Sequence, residues 1–451
     1  MSVLNTFSDE KSSRIFQPFN VLIPKKEYLD CWPVIACDQF TSQSEYWDQL
    51  EALVGNSPSA LRCILPEARL SSATEETYGE IRKAMQEYLN AGLFDEFGGA
   101  FVYVERTLLG GEIRRGIVGV VDLEAYDYHS DAKAAIRATE RTVVERIPPR
   151  MKVRRGALLE LSHVLLLCDD EQFSIIEPIR GEEEKKLYDL DLLQGGGHIS
   201  GWLIDGEAAE NLLKRLDAYC SRKAEPLDGM AFVVGDGNHS LATAKECYEE
   251  LKKTSQDEAA IQCARYAMVE LENIHDRAQK FEPIHRLLRK VDVGKLLAFL
   301  EKECCCEAAG LETNEDCSDD APNAEKGYPI AWVSGEREGI LYLDKKKGVL
   351  PVGILQAALD VYLKKEEGEI DYIHGEDTLR ELSRGENTAR AGLSGAAEGR
   401  PAEAGTIGFV LPAIPKDDFF NGIAKDGVLP RKTFSMGEAK EKRYYLEARR
   451  L

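Results

Sequence analysis

The chain of 451 residues is short of several things. It has no run of 18 apolar residues, so no transmembrane helix is expected. Its opening, MSVLNTFSDEKSS, lacks the apolar centre of a signal peptide. No CxxC pair occurs among the 11 cysteines, an odd number, which implies reduced thiols and a cytoplasmic, reducing compartment. The adjacent Cys304, Cys305 and Cys306, with Cys317, do not have the spacing of a zinc site. Positive charge is outnumbered: 57 Lys and Arg stand against 79 Asp and Glu, for a formal net charge of −22. This argues against a nucleic-acid surface, which needs clustered Lys and Arg. No internal repeat is visible, and no Gly-Lys-Ser/Thr completes a Walker P-loop.

What is present suits a chain of two or three domains with a 43% hydrophobic content. Apolar runs at Phe19–Ile23 and Pro33–Cys37 read as a strand-loop region. Helical patterns cover Ser44–Val54, Thr74–Ala91, Gly206–Cys220 and Ala259–Val269. Gly99–Glu105 and Gly111–Leu123 read as paired strands, with further apolar stretches at Glu160–Leu167 and Phe173–Glu177. Glu307–Lys326 is acidic and aperiodic and reads as an exposed linker. Beyond it, Pro329–Val333 and Gly339–Leu343 read as a hairpin, Pro351–Leu363 as a helix, and Ile370–Ile373 and Thr406–Leu411 as strands followed by helices. The expected division is a mixed α/β (α+β) domain at 1–303, a linker at 304–327 and a smaller α/β domain at 328–451.

One stretch carries chemistry: MAFVVGDGNHSLATAKECYEELKK, Met230–Lys253. Met230–Val234 is a buried-strand run, Gly235 and Gly237 punctuate it, and Ala244, Cys247, Tyr248 and Leu251 mark one helix face. Asn238 or Ser240 can cap that helix. A strand, a glycine turn and a helix N-terminus offer backbone donors and a positive dipole end to an anion. An ordinary capped turn has the same pattern. Asp236 can hold Mg2+ or accept a proton, and His239 can donate to a phosphate oxygen, act as acid or base, or simply cap the helix. Asp38, in VIACDQFTSQ, is a candidate base or a plain helix-entry aspartate. His163, in LSHVLLL, reads as a core histidine, and His374 as the end of a strand.

A second stretch runs against the overall charge. Arg137, Arg141, Arg146, Arg150, Lys152, Arg154 and Arg155 face only Glu140 and Glu145. It is either a solvated helix face, with Arg141 and Glu145 paired, or a clamp of guanidinium forks for phosphate.

These segments resemble the domain of unknown function 1015 family. Its Asp-Gly-His-His-Arg turn corresponds to Asp236-Gly237-Asn238-His239-Ser240, and its Pro-x-His-Arg pattern to Pro283, His285 and Arg286. Glu140, Arg141, Thr142, Pro148 and Arg150 match a third segment, and Lys432 and Thr433 in LPRKTF a fourth. The turn is also similar to that of the ParB/sulfiredoxin superfamily, which includes sulfiredoxin, a free-serine kinase and CTP-dependent partition proteins. That resemblance implies a ParB/sulfiredoxin-like core. It implies nucleotide binding (ATP or ADP, or another nucleotide, with Mg2+ at Asp236) and phosphoryl transfer to a small hydroxylated metabolite. Gly235, Gly237, Asn238, Ser240, Arg137, Arg141, Arg146, Arg150, His285, Arg286 and Lys432 would bind the nucleotide, with Asp38, Asp236 and His239 catalytic. Ser240 and Asn238 depart from the family's arginine and first histidine. The turn so loses a charge that the arginine segment must supply, or the ligand differs. A nucleotide-binding regulator without turnover is the alternative, and a nucleic-acid-acting protein the weakest. The implied partner is a small molecule, with no membrane and no nucleic acid. If the turn is a site, an arginine of the 137–155 segment and His285 or Arg286 must reach it, because a chain at −22 repels polyphosphate at long range.

Overall fold

The computed structural model describes residues 14–41, 43–306, 312–313, 327–385 and 405–451. The fold is mixed α+β. It comprises two compact units, Met1–Lys280 with Met436–Leu451, and Phe281–Ser435. This division differs from the expected one. The first boundary falls earlier, and the last 16 residues of the chain return to the first unit. Most of the acidic stretch Glu307–Lys326, expected to be an exposed linker, lies outside the described residues. Glu312–Thr313 within it pairs with Ile340 and Gly339.

The first unit is organised by one large sheet. Its strands run in the order Lys186–Asp191, His198–Ile204, Phe94–Thr107, Ile113–Asp122, Tyr266–Asn273, Leu165–Cys168, Phe232–Asp236, Ile136–Ala138 and Tyr126–Asp127. The period of two in side-chain direction builds a core on each face. Phe101, Tyr103, Ile117 and Val269 join one cluster with Leu212, Leu216 and Tyr219 of the helix Gly206–Ala224 and Leu241, Ala244 and Tyr248 of Asn238–Thr254. Val102, Val104, Val118 and Met268 join the other, with Trp32, Trp47, Tyr444 and Tyr445.

One expectation fails here. The helix predicted over Ala259–Val269 is a short helix, Glu258–Ala264, followed by the central strand Tyr266–Asn273. Both faces of that strand are buried, so its apolar run imitates a helix continuation. The apolar stretch Phe173–Glu177 forms neither strand nor helix. It follows a turn tied by the Asp170 carboxylate, which accepts from the backbone N–H of Ser174 (2.6 Å) and Ile175 (2.9 Å).

The returning C-terminus is stitched in by strand pairing. Tyr444 and Tyr445 pair with Ile35 and Val34, and Arg449 and Arg450 with Glu160 and Leu159. Arg443 is buried between Glu270 and Glu447, each 2.7 Å away, so its guanidinium is paired rather than stranded.

The second unit holds an antiparallel sheet in the order Glu312–Thr313, Arg337–Asp344, Gly327–Ser334, Ile407–Val410, Phe281–Arg289, Glu369–His374. The helices Val293–Cys304, Pro351–Leu363, Glu376–Arg384 and Lys416–Asp426 complete it. Cys304, Cys305 and Cys306 are buried. Among the described residues no helix is long and apolar enough to cross a membrane.

Candidate functional site

The strand Phe232–Asp236 enters the turn between Leu165–Cys168, antiparallel to it, and Ile136–Ala138, parallel to it. Both glycines are required by space. A Cβ on Gly235 would meet Met436 Sδ at 2.8 Å and Leu167 Cγ at 2.9 Å. Gly237 has φ +78°, and its Cβ would meet the Val164 backbone at 3.0 Å. Gly237 is the N-cap of the helix Asn238–Thr254, and no side chain caps that helix. The expected cap by Asn238 or Ser240 is therefore absent. Asn238 is already inside the helix, and its amide turns sideways to Thr139. Its Oδ1 accepts from the Thr139 N–H (3.2 Å), and its Nδ2 donates to Thr139 Oγ1 (3.1 Å). The Thr139 hydroxyl donates onward to the Val234 carbonyl at 2.6 Å. The Val143 N–H donates to His239 Nε2 at 3.1 Å, so in the neutral ring the proton sits on Nδ1.

Asn238 and His239 thus fasten the loop after Ile136–Ala138 to the start of the helix. That loop carries Arg141, which is exposed and in no ion pair among the described residues. It also carries Thr142, whose hydroxyl is buried without a hydrogen-bond partner among the described residues. The expected Arg141–Glu145 helical pair does not form, because the helix begins only at Ile147.

Asp236 closes the turn on itself. Its Oδ1 accepts from the Gly237 N–H (2.9 Å), and its Oδ2 lies 3.1 Å from the Lys442 ammonium. Beside it, His163 Nε2 lies 3.5 Å from Asp38 Oδ2, and its Nδ1 lies 2.7 Å from the Tyr445 hydroxyl, which accepts from the Cys37 N–H. Gln39 donates to Asp38 at 3.0 Å. Burial acts to raise the Asp38 carboxyl, but His163, Gln39 and Lys442 outweigh it and hold it well below the usual carboxylate range. Burial likewise acts to lower the His163 imidazole, and Asp38 and then Asp236 outweigh it and raise it. Asp38, His163, Asp236 and Lys442 therefore form one polar group, with two carboxyl groups facing an imidazole and an ammonium.

The arginine segment divides. Arg150 lies 2.6 Å and Arg146 3.8 Å from Glu67, whose N–H donates to the Cys37 carbonyl, so both stand at the edge of the Asp38 loop. Arg137 faces the other way. It donates to the carbonyls of Ala134 (3.0 Å) and Asp228 (2.6 Å), which precede the two parallel strands, whereas the turn follows them. It cannot serve the turn from there.

His285, Arg286 and Lys432 belong to the second unit and are placed by that unit's own contacts. Arg286 is fully buried. It donates to Gln356 (2.6 Å) and to the carbonyls of Ile284 (2.7 Å) and Lys432 (3.0 Å), and stacks 4.7 Å from the Tyr372 ring centre. Its Nε and Nη1 brace its own unit. His285 Nδ1 accepts from the Leu411 N–H at 3.1 Å. Lys432 is exposed and lies over the same Tyr372 ring.

Sequence reasoning passed over Lys442 and Tyr445 and read His163 as core packing. The charged and aromatic run EKRYYLEARR at the C-terminus was the available signal. At the far end of strand Leu165–Cys168, Asp169, Glu171 and His275 lie close enough for a cation. Lys223, 2.5 Å from Asp169 and 3.5 Å from Glu171, already supplies one.

The family profile described as protein of unknown function (DUF1015) matches residues 16–362. The chain belongs to the DUF1015 family. No curated protein matches it. Similar solved structures include a free serine kinase mutant in complex with ADP, at 13% identity and TM-score 0.37, covering 74% of this chain and 91% of that one. They also include a conserved hypothetical protein from Pyrococcus furiosus, at 14% and 0.33, covering 74% and 94%. A third is C-terminally truncated SbnI from Staphylococcus aureus, at 10% and 0.34, covering 73% and 85%. Likenesses this distant assign no chemistry to this member of the family.

Proposed function

We propose that this chain binds a nucleotide through its phosphates at the Gly235–Ser240 turn and transfers phosphoryl from it to a small hydroxylated metabolite. The observation that carries the reading is the juxtaposition of an uncapped, glycine-turned helix start with the Asp38–His163–Asp236–Lys442 group. The helix end supplies about half a positive charge. Lys442 and the exposed Arg141 supply the positive charge that Ser240 cannot, and the unpartnered Thr142 hydroxyl adds a donor. Asp38, kept ionised and oriented by His163, holds the acceptor hydroxyl and receives its proton as the phosphoryl group moves to that oxygen. His239, with Nε2 committed to Val143, positions the loop and leaves the proton work to Asp38.

Mg2+ at Asp236 fits poorly. One oxygen of that carboxylate is held by the Gly237 N–H and the other by an ammonium, so a cation there must first displace Lys442. The same observation favours the second reading, a nucleotide-binding regulator in which Lys442 permanently neutralises Asp236.

The test is thermal-shift titration of the full chain with ATP, ADP, CTP, GTP and pyrophosphate, each with and without Mg2+, followed by product analysis with pooled metabolites. A raised midpoint with a phosphorylated product supports transfer. A raised midpoint without product leaves the regulator. No shift with any of the five overturns both.

A further inference from the structure

The second unit contains a cavity of about 490 Å³ lined by the unit's own residues. Its apolar lining includes Ala331, Ile340 and Val410, which lie side by side across three strands. Pro283, Pro329 and Pro412 add rigid apolar walls. This is the range of volume that small-molecule sites occupy, with an apolar body and few polar groups.

Those few polar groups are specific. His285 is 3% exposed and lines the cavity. Its Nδ1 is fixed as an acceptor by the Leu411 N–H, so the neutral ring carries its proton on Nε2. Burial lowers the imidazole from its ordinary value, so the ring is neutral near pH 7. Nε2–H has no partner among the described residues. Gly375 and Glu376, at the start of the helix Glu376–Arg384, lie on the same wall, and no side chain caps that helix. The cavity thus presents an imidazole N–H and a helix N-terminus, both of which suit a carboxylate.

The remaining charge is negative. Glu376 is paired with Arg380 at 2.8 Å, but Glu282 on the lining is exposed and in no ion pair among the described residues. A free carboxylate there opposes a polyphosphate and matches an ammonium.

We propose that the second unit binds a small amphipathic zwitterion. Its carboxylate meets His285 Nε2–H and the start of Glu376–Arg384, its ammonium meets Glu282, and its aliphatic body lies on Ala331, Ile340 and Val410. This site is independent of the nucleotide reading of the first unit.

Three probes of one shape test it on the full chain by saturation-transfer NMR titration: leucine, 4-methylpentanoate and 3-methylbutylamine. Leucine should bind, with the other two at least about tenfold weaker, since each lacks one charged contact. His285→Asn keeps an amide oxygen for the Leu411 N–H and removes the Nε2–H donor. It should weaken leucine about tenfold at an unchanged thermal midpoint. Glu282→Gln, at an exposed position, should bring leucine and 4-methylpentanoate to similar affinity. The proposal is overturned if leucine does not bind the wild-type chain, if 4-methylpentanoate binds as tightly, or if His285→Asn binds leucine unchanged.

Discussion

The turn at Asp236–Ser240 and the strand segment Pro283–Arg286 both match family motifs, yet the protein uses their polar residues in opposite ways. In the turn, the helix start is left without a side-chain cap, and Asp236 meets an ammonium carried by the chain's C-terminal segment. In the strand, the Arg286 Nε and Nη1 donate to Gln356 and to backbone carbonyls, with Tyr372 across the guanidinium face. A guanidinium whose Nε and Nη1 are engaged by internal acceptors has fewer donors left for a phosphate. A motif arginine therefore does not imply an anion site; where its N–H groups go decides that.

The sharpest cut through this comparison is Asp38→Asn. The change keeps the size of the side chain and the Gln39 contact while removing the charge that receives a proton. Turnover in the metabolite screen should fall by about 10²–10⁴-fold, with nucleotide binding retained. Full turnover in this variant would move the chemistry away from the Asp38–His163 pair.

Arg286→Met should do the converse. It leaves Gln356 and the Ile284 and Lys432 carbonyls without their buried donor, at a cost of roughly 2–4 kcal/mol in urea unfolding of the second unit. Nucleotide affinity of the folded fraction should be unchanged. A loss of nucleotide affinity at unchanged stability would erase the contrast between the two motifs.

A smaller effect reads the His163–Asp38 pair through pH. The His163 pKa is raised in the fold, so its contribution is full below the unfolded value, about 6.5, and is lost as pH rises through the higher folded value. The Asp38 pKa is lowered, so its contribution is present above the unfolded value, about 3.9, and is lost only as pH falls through the lower folded value. The pair therefore stabilises most between about pH 4 and 6.5. The midpoint difference between wild type and His163→Gln should be greatest there and shrink as pH rises through the folded His163 value. A difference flat across that range would mean that His163 is neutral in the fold.

How much of this was legible follows from the distance over which each feature is encoded. The strand, glycine turn and helix at Phe232–Thr254 are written in adjacent residues: an apolar run, two glycines and a 3.6-residue period. The cap was misjudged because Asn238 prefers Thr139, 99 positions away, to its own helix. Tyr266–Asn273 reads as helix because a strand buried on both faces has no alternation to show. Tyr445 joins His163 across 282 positions, and Lys442 reaches Asp236 only through the return of the chain end. Contacts of that range leave no local pattern. Burial of Arg286 was equally hidden, because an arginine in a strand reads the same whether it faces solvent or a glutamine.

The smallest expected effect concerns Arg141, and it tests the turn's side of the contrast. Its side chain is exposed and makes no ion pair among the described residues, whereas its neighbours Thr139 and Val143 are tied to Asn238 and His239. Arg141→Ala removes no internal contact, so stability should stay within about 0.5 kcal/mol. A cation held over a helix start by two anchored neighbours costs little to order, so its loss should appear in ligand affinity, by a few-fold at low salt. Because the contact is solvent-exposed, the deficit should shrink as ionic strength rises and the Debye length falls toward about 8 Å. Titration of ADP against wild type and Arg141→Ala at two salt concentrations measures it. Equal affinities at low salt would mean that the loop presents its guanidinium to water alone, and the donors at the turn would reduce to Lys442, the Thr142 hydroxyl and the helix end.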